Sequence, residues 1–288
     1  MLELEEISVS QVPAFYQHAY DRILYQRYEG VTPARSLTAI GLYNVITCML
    51  AQHDEVSIAS IGREIGMTYA GLLKTARYLE CVGLIEISRL TVASPFIEAK
   101  KRAIRQLSGQ KHVSDCPGFE EIERCSVKDV PALWCIAYNL ILKRRGPGDT
   151  AVKSLKCIGL LNVIARMAAC NATVTKTLLA ERLDLAAHSL TPYLDYLVAV
   201  GLIRMREQRA RASNSREYRI EMPRPVIEHA LNSLRQLERE LKRRGWVDAL
   251  RLREMARAHR KRLLEARNEP FVPISAIRME KRREDPRT

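Results

Sequence analysis

At 288 residues, with 46 Lys and Arg against 33 Asp and Glu, the chain is long enough for two ordinary domains and carries a net charge of +13. That excess points to a polyanionic partner, nucleic acid ahead of an anionic membrane surface, and it is uneven: residues 204–288 hold 24 basic and 13 acidic side chains. No apolar run approaches the ~20 residues of a membrane span and no leader peptide stands out, so a cytoplasmic protein is expected.

The elements follow a repeat. Residues 36–56, SLTAIGLYNVITCMLAQHDEV, align without a gap on 154–174, SLKCIGLLNVIARMAACNATV, at an offset of 118. Ser36, Leu37, Ile40, Gly41, Asn44, Val45, Ile46 and Val56 are identical to their partners. The same offset reaches back to Val12-Pro13-Ala14 over Val130-Pro131-Ala132, and to Tyr20 and Ile23 over Tyr138 and Ile141. It reaches forward to YLECVGLIEI over YLVAVGLIRM. One offset held over some eighty residues is the mark of a tandem duplication.

In the first unit (1–108), a helix carries Tyr16, Tyr20, Tyr25 and Tyr28, and the order of elements then follows that of the second unit as far as Ile87. Its hairpin is weaker: SRLTVASPF shows no clear returning strand and little charge. Residues 95–108 close the unit as a helix, and 109–122 form a linker containing the loop GQKHVSDCPGF.

The second unit (123–244) reads more fully. Residues 128–144 form a helix with Asp129 as N-cap and Pro131 in its first turn, ended by RRGPGDT. Ser154 to Ala169 is a second apolar-striped helix, and Thr173-Val174 a minimal strand. TKTLLAERLDL is a third helix capped by Thr175, and AAHSLTPYLDYLVAVG a fourth, ended by Gly201. LIRMREQ and REYRIEM alternate apolar and charged residues as the two strands of a hairpin. Residues 224–244 are an amphipathic helix. Beyond it, 245–288 comprise an Arg-rich helix at 246–266 and an extended or disordered tail.

The run LLAERLDLAAHSLTPYLDYLVAVGLIRM resembles the winged helix-turn-helix of MarR-type bacterial transcriptional regulators: a Leu-Ala-x-x-Leu helix, a turn, a recognition helix with inward leucines, and Gly-Leu-Ile leading into the wing. The resemblance spans about 70 residues of each unit. It implies a mainly α fold with small β-wings, as two tandem winged-helix domains plus C-terminal helices. The usual chain of this kind has one unit and dimerises, whereas the present one holds two.

In such a fold the N-terminal part of the recognition helix enters the major groove and the wing follows the backbone. In the second unit this puts His188, Ser189, Thr191, Pro192 and Asp195 near the bases, with Pro192 tolerated as a first-turn residue. Arg204, Arg206, Arg209, Arg211, Ser213, Asn214, Arg216 and Arg219 belong to the wing, where arginines give bidentate phosphate contacts and release counterions. The alternative for these arginines is a solvated hairpin. The matching positions of the first unit are Thr68, Tyr69, Ala70, Lys74 and Arg77. That unit carries several acids and either reads bases with few phosphate contacts or has moved to protein interaction.

Such regulators often bind small aromatics beside the first helix, so its tyrosines are either an effector pocket or interface or core packing. The seven cysteines, with no CxxC pair, read as buried thiols, and the six histidines show no metal spacing. No nucleotide-binding loop, nucleophile elbow or paired-carboxylate pattern is present, so no enzyme, metal or cofactor is expected. The expected activity is sequence-specific binding of double-stranded DNA by an intramolecular pseudo-dimer, a bacterial transcriptional regulator. A replication initiator of a mobile element and a protein-interaction module of a chromosome-organising complex are the alternatives. Homodimerisation through the first or the C-terminal helices stays open, as does a small-molecule effector.

Overall fold

A computed structural model describes residues 12–25, 31–53, 56–88, 91–93, 118–143, 145, 148–170, 173–209 and 216–243. Nearly all of them belong to the first of two compact units, Met1–Glu238; the second is Arg239–Thr288. Among the described residues the fold is mainly helical, with ten α-helices and two small antiparallel sheets. The expected helices at 95–108 and 246–266, the expected loop at 109–117 and the expected tail lie outside the described residues.

The first segment comprises α1 (Val12–Tyr25), α2 (Pro33–Gln52), β1 (Val56–Ser57), α3 (Ile58–Ile65), α4 (Tyr69–Cys81), β2 (Glu86–Ser88) and β3 (Thr91–Ala93). Local chemistry sets its boundaries. Thr32 caps α2 by accepting from the Arg35 N–H, with Pro33 following where no internal N–H is needed. Ser57 and Ser60 form a reciprocal capping box on α3, which Gly66 ends in the left-handed region at φ 64°. A returning strand does exist here, against expectation. β3 pairs with β2 through Ile87↔Val92 and with β1 through Val56↔Val92. At three residues it is too short to show an alternation, and β1 on its far side is what holds it.

The second segment follows with α5 (Phe119–Glu123), α6 (Val130–Lys143), α7 (Ala151–Ala169), α8 (Lys176–Leu183), α9 (Ala187–Ala199), β4 (Arg204–Arg209), β5 (Arg216–Glu221) and α10 (Arg224–Arg243). α5 occupies the end of the stretch read as linker, with Glu120 and Glu121 in its first turn where the helix dipole favours them. Asp129 is not a helix cap. It ends a 3-10 turn, Val127–Asp129, that Ser126 caps. α7 starts three residues earlier than its apolar stripe, because Thr150 caps it by accepting from the Lys153 N–H. Thr175 caps α8 as expected and bridges to Arg219 of β5, while the Ile220 N–H donates to the Val174 carbonyl.

Residues 118 apart do matching work. The Tyr78 hydroxyl donates to the Ile23 carbonyl at 2.7 Å, and the Tyr196 hydroxyl to the Ile141 carbonyl at 3.0 Å. Each bond ties the helix before the hairpin to an earlier helix of its own segment, α4 to α1 and α9 to α6.

The two segments share one hydrophobic core, centred where α2 crosses α7. A methyl group on Gly41 would stand 2.0 Å from the Leu155 carbonyl oxygen, and one on Gly159 2.2 Å from that of Leu37. Only glycine at both positions lets the two backbones approach so closely. Beside the crossing, the Asn44 and Asn162 amides donate to Ile40 and Ile158 carbonyls of their own helices, each at 2.8 Å. Their Oδ1 atoms accept from the hydroxyls of Tyr20 (2.9 Å to each) and Tyr138 (3.4 and 3.0 Å). A hydroxyl has one proton, so each tyrosine donates to one asparagine at a time. All four side chains are buried, and burial holds the Tyr138 hydroxyl in its neutral form. The contacts are reciprocal: Gly41 meets Leu155 and Leu37 meets Gly159, the pattern of a local two-fold axis rather than of stacking by translation.

Helical Gly→Ala changes ordinarily stabilise by up to ~1 kcal/mol. At Gly41 and Gly159 the obstacle is backbone, so Gly41→Ala and Gly159→Ala should each destabilise by about 1–3 kcal/mol in urea unfolding. Gly118→Ala, whose added methyl meets nothing within 4 Å, should stay within ~0.5 kcal/mol of the parent. Burial also pushes His229 of α10 down to about 4 from the usual 6.5. The unfolded chain therefore binds a proton here that the folded one refuses. Stability is full above pH 6.5 and falls as the pH drops towards 4, by about 3 kcal/mol in all. Denaturant midpoints at pH 7, 5.5 and 4 should show that slope, and His229→Leu should flatten it.

Candidate nucleic-acid interface

Two helices of matching position, α4 and α9, each pack an apolar stripe inward and leave a polar face outside. In α9 the stripe is Leu190, Leu194 and Leu197, all fully buried, while His188, Pro192 and Asp195 are exposed. Ser189 and Thr191 are half-buried and engaged locally. The Ser189 hydroxyl donates to the Ala186 carbonyl at 2.7 Å, and the Lys176 ammonium donates to the Thr191 hydroxyl at 2.6 Å. Pro192 is not in the first turn, because α9 begins at Ala187 and the proline is its sixth residue. Its missing N–H would have bonded the His188 carbonyl, so the turn facing outward is locally weakened.

In α4, Leu72, Ala76 and Leu79 are buried, and Thr68, Tyr69, Ala70, Lys74 and Arg77 are all exposed, Tyr69 to 46%. The Arg35 guanidinium donates to the Lys74 carbonyl at 2.9 Å. Charge on the helix faces thus runs opposite to charge in the hairpins. Lys74 and Arg77 stand where Pro192 and Asp195 stand 118 residues later.

The β4–β5 hairpin sets Arg206 opposite Arg219 and Arg209 opposite Arg216. Like charges directly across a hairpin repel, so this register costs stability unless an anion lies over it. Arg206 relieves part of the cost through Glu221, 3.0 Å away, while Arg219 is exposed. Arg204 has a different employment. It pairs with Glu120 and lies 4.1 Å from the Phe119 ring centroid, so it anchors α5 to the hairpin. Arg211, Ser213 and Asn214 lie outside the described residues, as do the side chains of Arg209 and Arg216.

Sequence reasoning missed Lys176 and Arg35, both of which meet the outward helices. Lys176 opens α8 directly after its cap, a place from which a long side chain reaches the neighbouring helix; Arg35 carried no such signal. Tyr16 and Tyr20 of α1 are used in packing. Tyr16 sits 5.7 Å from Tyr43 and 6.2 Å from Tyr20, centroid to centroid, and burial raises its hydroxyl pKa. The side chains of Tyr25 and Tyr28 lie outside the described residues. Among the described residues no group of three or more His, Cys, Asp or Glu is placed to hold a metal, and no helix is long and apolar enough to cross a membrane.

Comparison with protein-family models, curated proteins and solved structures finds no match for this chain. The outward and inward positions of α4 differ in what they should tolerate. Lys74→Ala and Arg77→Ala should leave the urea midpoint within ~0.5 kcal/mol of the parent, whereas Leu72→Ala or Leu79→Ala should cost about 2–5 kcal/mol.

Proposed function

We propose that this chain binds double-stranded DNA sequence-specifically and acts as a transcriptional regulator, its two segments serving as two winged-helix units of an intramolecular pseudo-dimer. The observation that carries this reading is the hairpin register, which sets Arg206 opposite Arg219 and Arg209 opposite Arg216, an arrangement that a bound polyanion would favour. The outward faces of α4 and α9 supply the base-reading surfaces, and the hairpin supplies phosphate contacts whose counterion release drives affinity.

The α2–α7 crossing relates the two segments by a local two-fold axis, so their half-sites run in opposite senses along the duplex. The halves are unequal. Lys74 and Arg77 donate hydrogen bonds, as guanine O6 and N7 require, while Asp195 accepts, as the cytosine amino group requires. The target is therefore an imperfect inverted repeat.

Selection of bound fragments from random DNA, followed by footprinting, should recover such a repeat, protected in both halves. Changing Arg209 and Arg211 to alanine together should weaken binding to all sequences and flatten the dependence of log affinity on log salt by about two units at most. Direct repeats near an origin would favour a replication initiator instead. No binding to duplex DNA at low salt would overturn the proposal.

A further inference from the structure

Cys48, near the end of α2, and Cys135, in the second turn of α6, are 87 residues apart in sequence, yet their Sγ atoms lie 2.9 Å apart. Neither is in a disulfide. We propose that they form an oxidisable dithiol, which a peroxide converts to a disulfide that staples the first segment to the second. This does not depend on the DNA-binding reading.

Three observations carry it. The sulfurs need to close by only about 0.9 Å to reach the ~2.05 Å of a disulfide. Exposure differs in the useful sense: Cys135 is half-buried and within reach of a small oxidant, while Cys48 is buried against it and shielded from solvent. And the pair lies at only one of two matching crossings. At the other, 118 residues away in each chain position, Arg166 donates to the Gln17 carbonyl at 3.1 Å and pairs with Asp21 at 2.7 Å. One crossing is held by charge, and the other offers a bond that can be made and broken. A metal role for the thiols has no support, since no third ligand joins them among the described residues.

The chemistry balances in two steps. The Cys135 thiolate attacks a peroxide oxygen, the O–O bond breaks, and Cys135 becomes a sulfenic acid with release of water (or of an alcohol from an organic peroxide). The Cys48 thiol then attacks that sulfur, the S–O bond breaks, and a second water leaves. Two thiols are oxidised by one peroxide, and a dithiol reductant reverses the change.

The test uses the full chain with the exposed thiols removed by Cys81→Ser and Cys170→Ser. After hydrogen peroxide, quenching and digestion without reductant, mass spectrometry should find the Cys48 and Cys135 peptides joined, lighter by two hydrogens and separated by dithiothreitol. The oxidised protein should melt about 4–10 °C above the reduced one. Cys135→Ser, at the half-buried position, should abolish both changes and leave the reduced melting point close to the parent's. Cys48→Ala should behave alike; if it does not fold, Cys135→Ser decides the matter. Recovery of both as free thiols, oxidation of Cys135 to sulfinic acid without cross-linking, or an unchanged melting point would overturn the proposal.

Discussion

Everything described in Met1–Glu238 depends on how closely α2 approaches α7. Two carbonyl oxygens sit where the β-carbons of Gly41 and Gly159 would be, so the crossing admits no side chain at either position. Backbones this close gain dispersion contact but leave little room for error in register. The asparagine–tyrosine cluster supplies the register. Burying four polar side chains is costly unless all are bonded, and these can bond only when Tyr20 and Tyr138 both reach Asn44 and Asn162. A slip of one helical turn would leave amide oxygens and hydroxyls dry and unpaired. Glycine therefore permits the crossing, and the polar cluster selects one version of it.

The outward-facing elements depend on that crossing through short ties. α4 and α9 are fixed to α1 and α6 by the equivalent tyrosine–carbonyl bonds, and those helices lie on the central pair. Arg145 reaches across from the second segment to the Ile65 carbonyl, where it occupies the space beside Gly66 at the end of α3. A cation at a helix C-terminus is electrostatically favourable, and here it also joins the two segments. The polar faces of α4 and α9 are consequently tied through single hydrogen bonds to helices that pack on the central pair.

Much of this was legible in the sequence because helical periodicity and capping are local. The apolar stripes, Thr175 and Gly201 placed α7, α8 and α9 within a few residues of their observed ends. Misplaced details came from non-local or unsignalled causes. Thr150 extends α7 beyond its stripe. Pro192 lies past the first turn because α9 starts at Ala187, within a residue of the start of the run AAHSLTPYLDYLVAVG. β3 exists only because β1 and β2 flank it. Arg204 reads as one more wing cation until Glu120, 84 residues earlier, is seen beside it. Aligning the repeat revealed that Gly41 and Gly159 are equivalent, but no alignment could reveal that each packs on the other's helix.

The two segments are alike where the crossing needs them to be and differ where it does not. Glycine, asparagine and tyrosine are identical at the centre, where a change on one side would strand its partner on the other. Outside it, Lys74 answers to Pro192, Arg77 to Asp195, and the thiol Cys48 to Arg166. In a dimer of identical chains a substitution appears on both sides of the axis at once. Joining the halves in one chain removes that restriction, so an acid can sit on the outward face of one helix while a base sits on that of its counterpart. A dithiol can likewise occupy one crossing while an ion pair holds its counterpart. A paired, symmetric core with unpaired surfaces is the arrangement that lets one molecule present two different faces in opposite orientations.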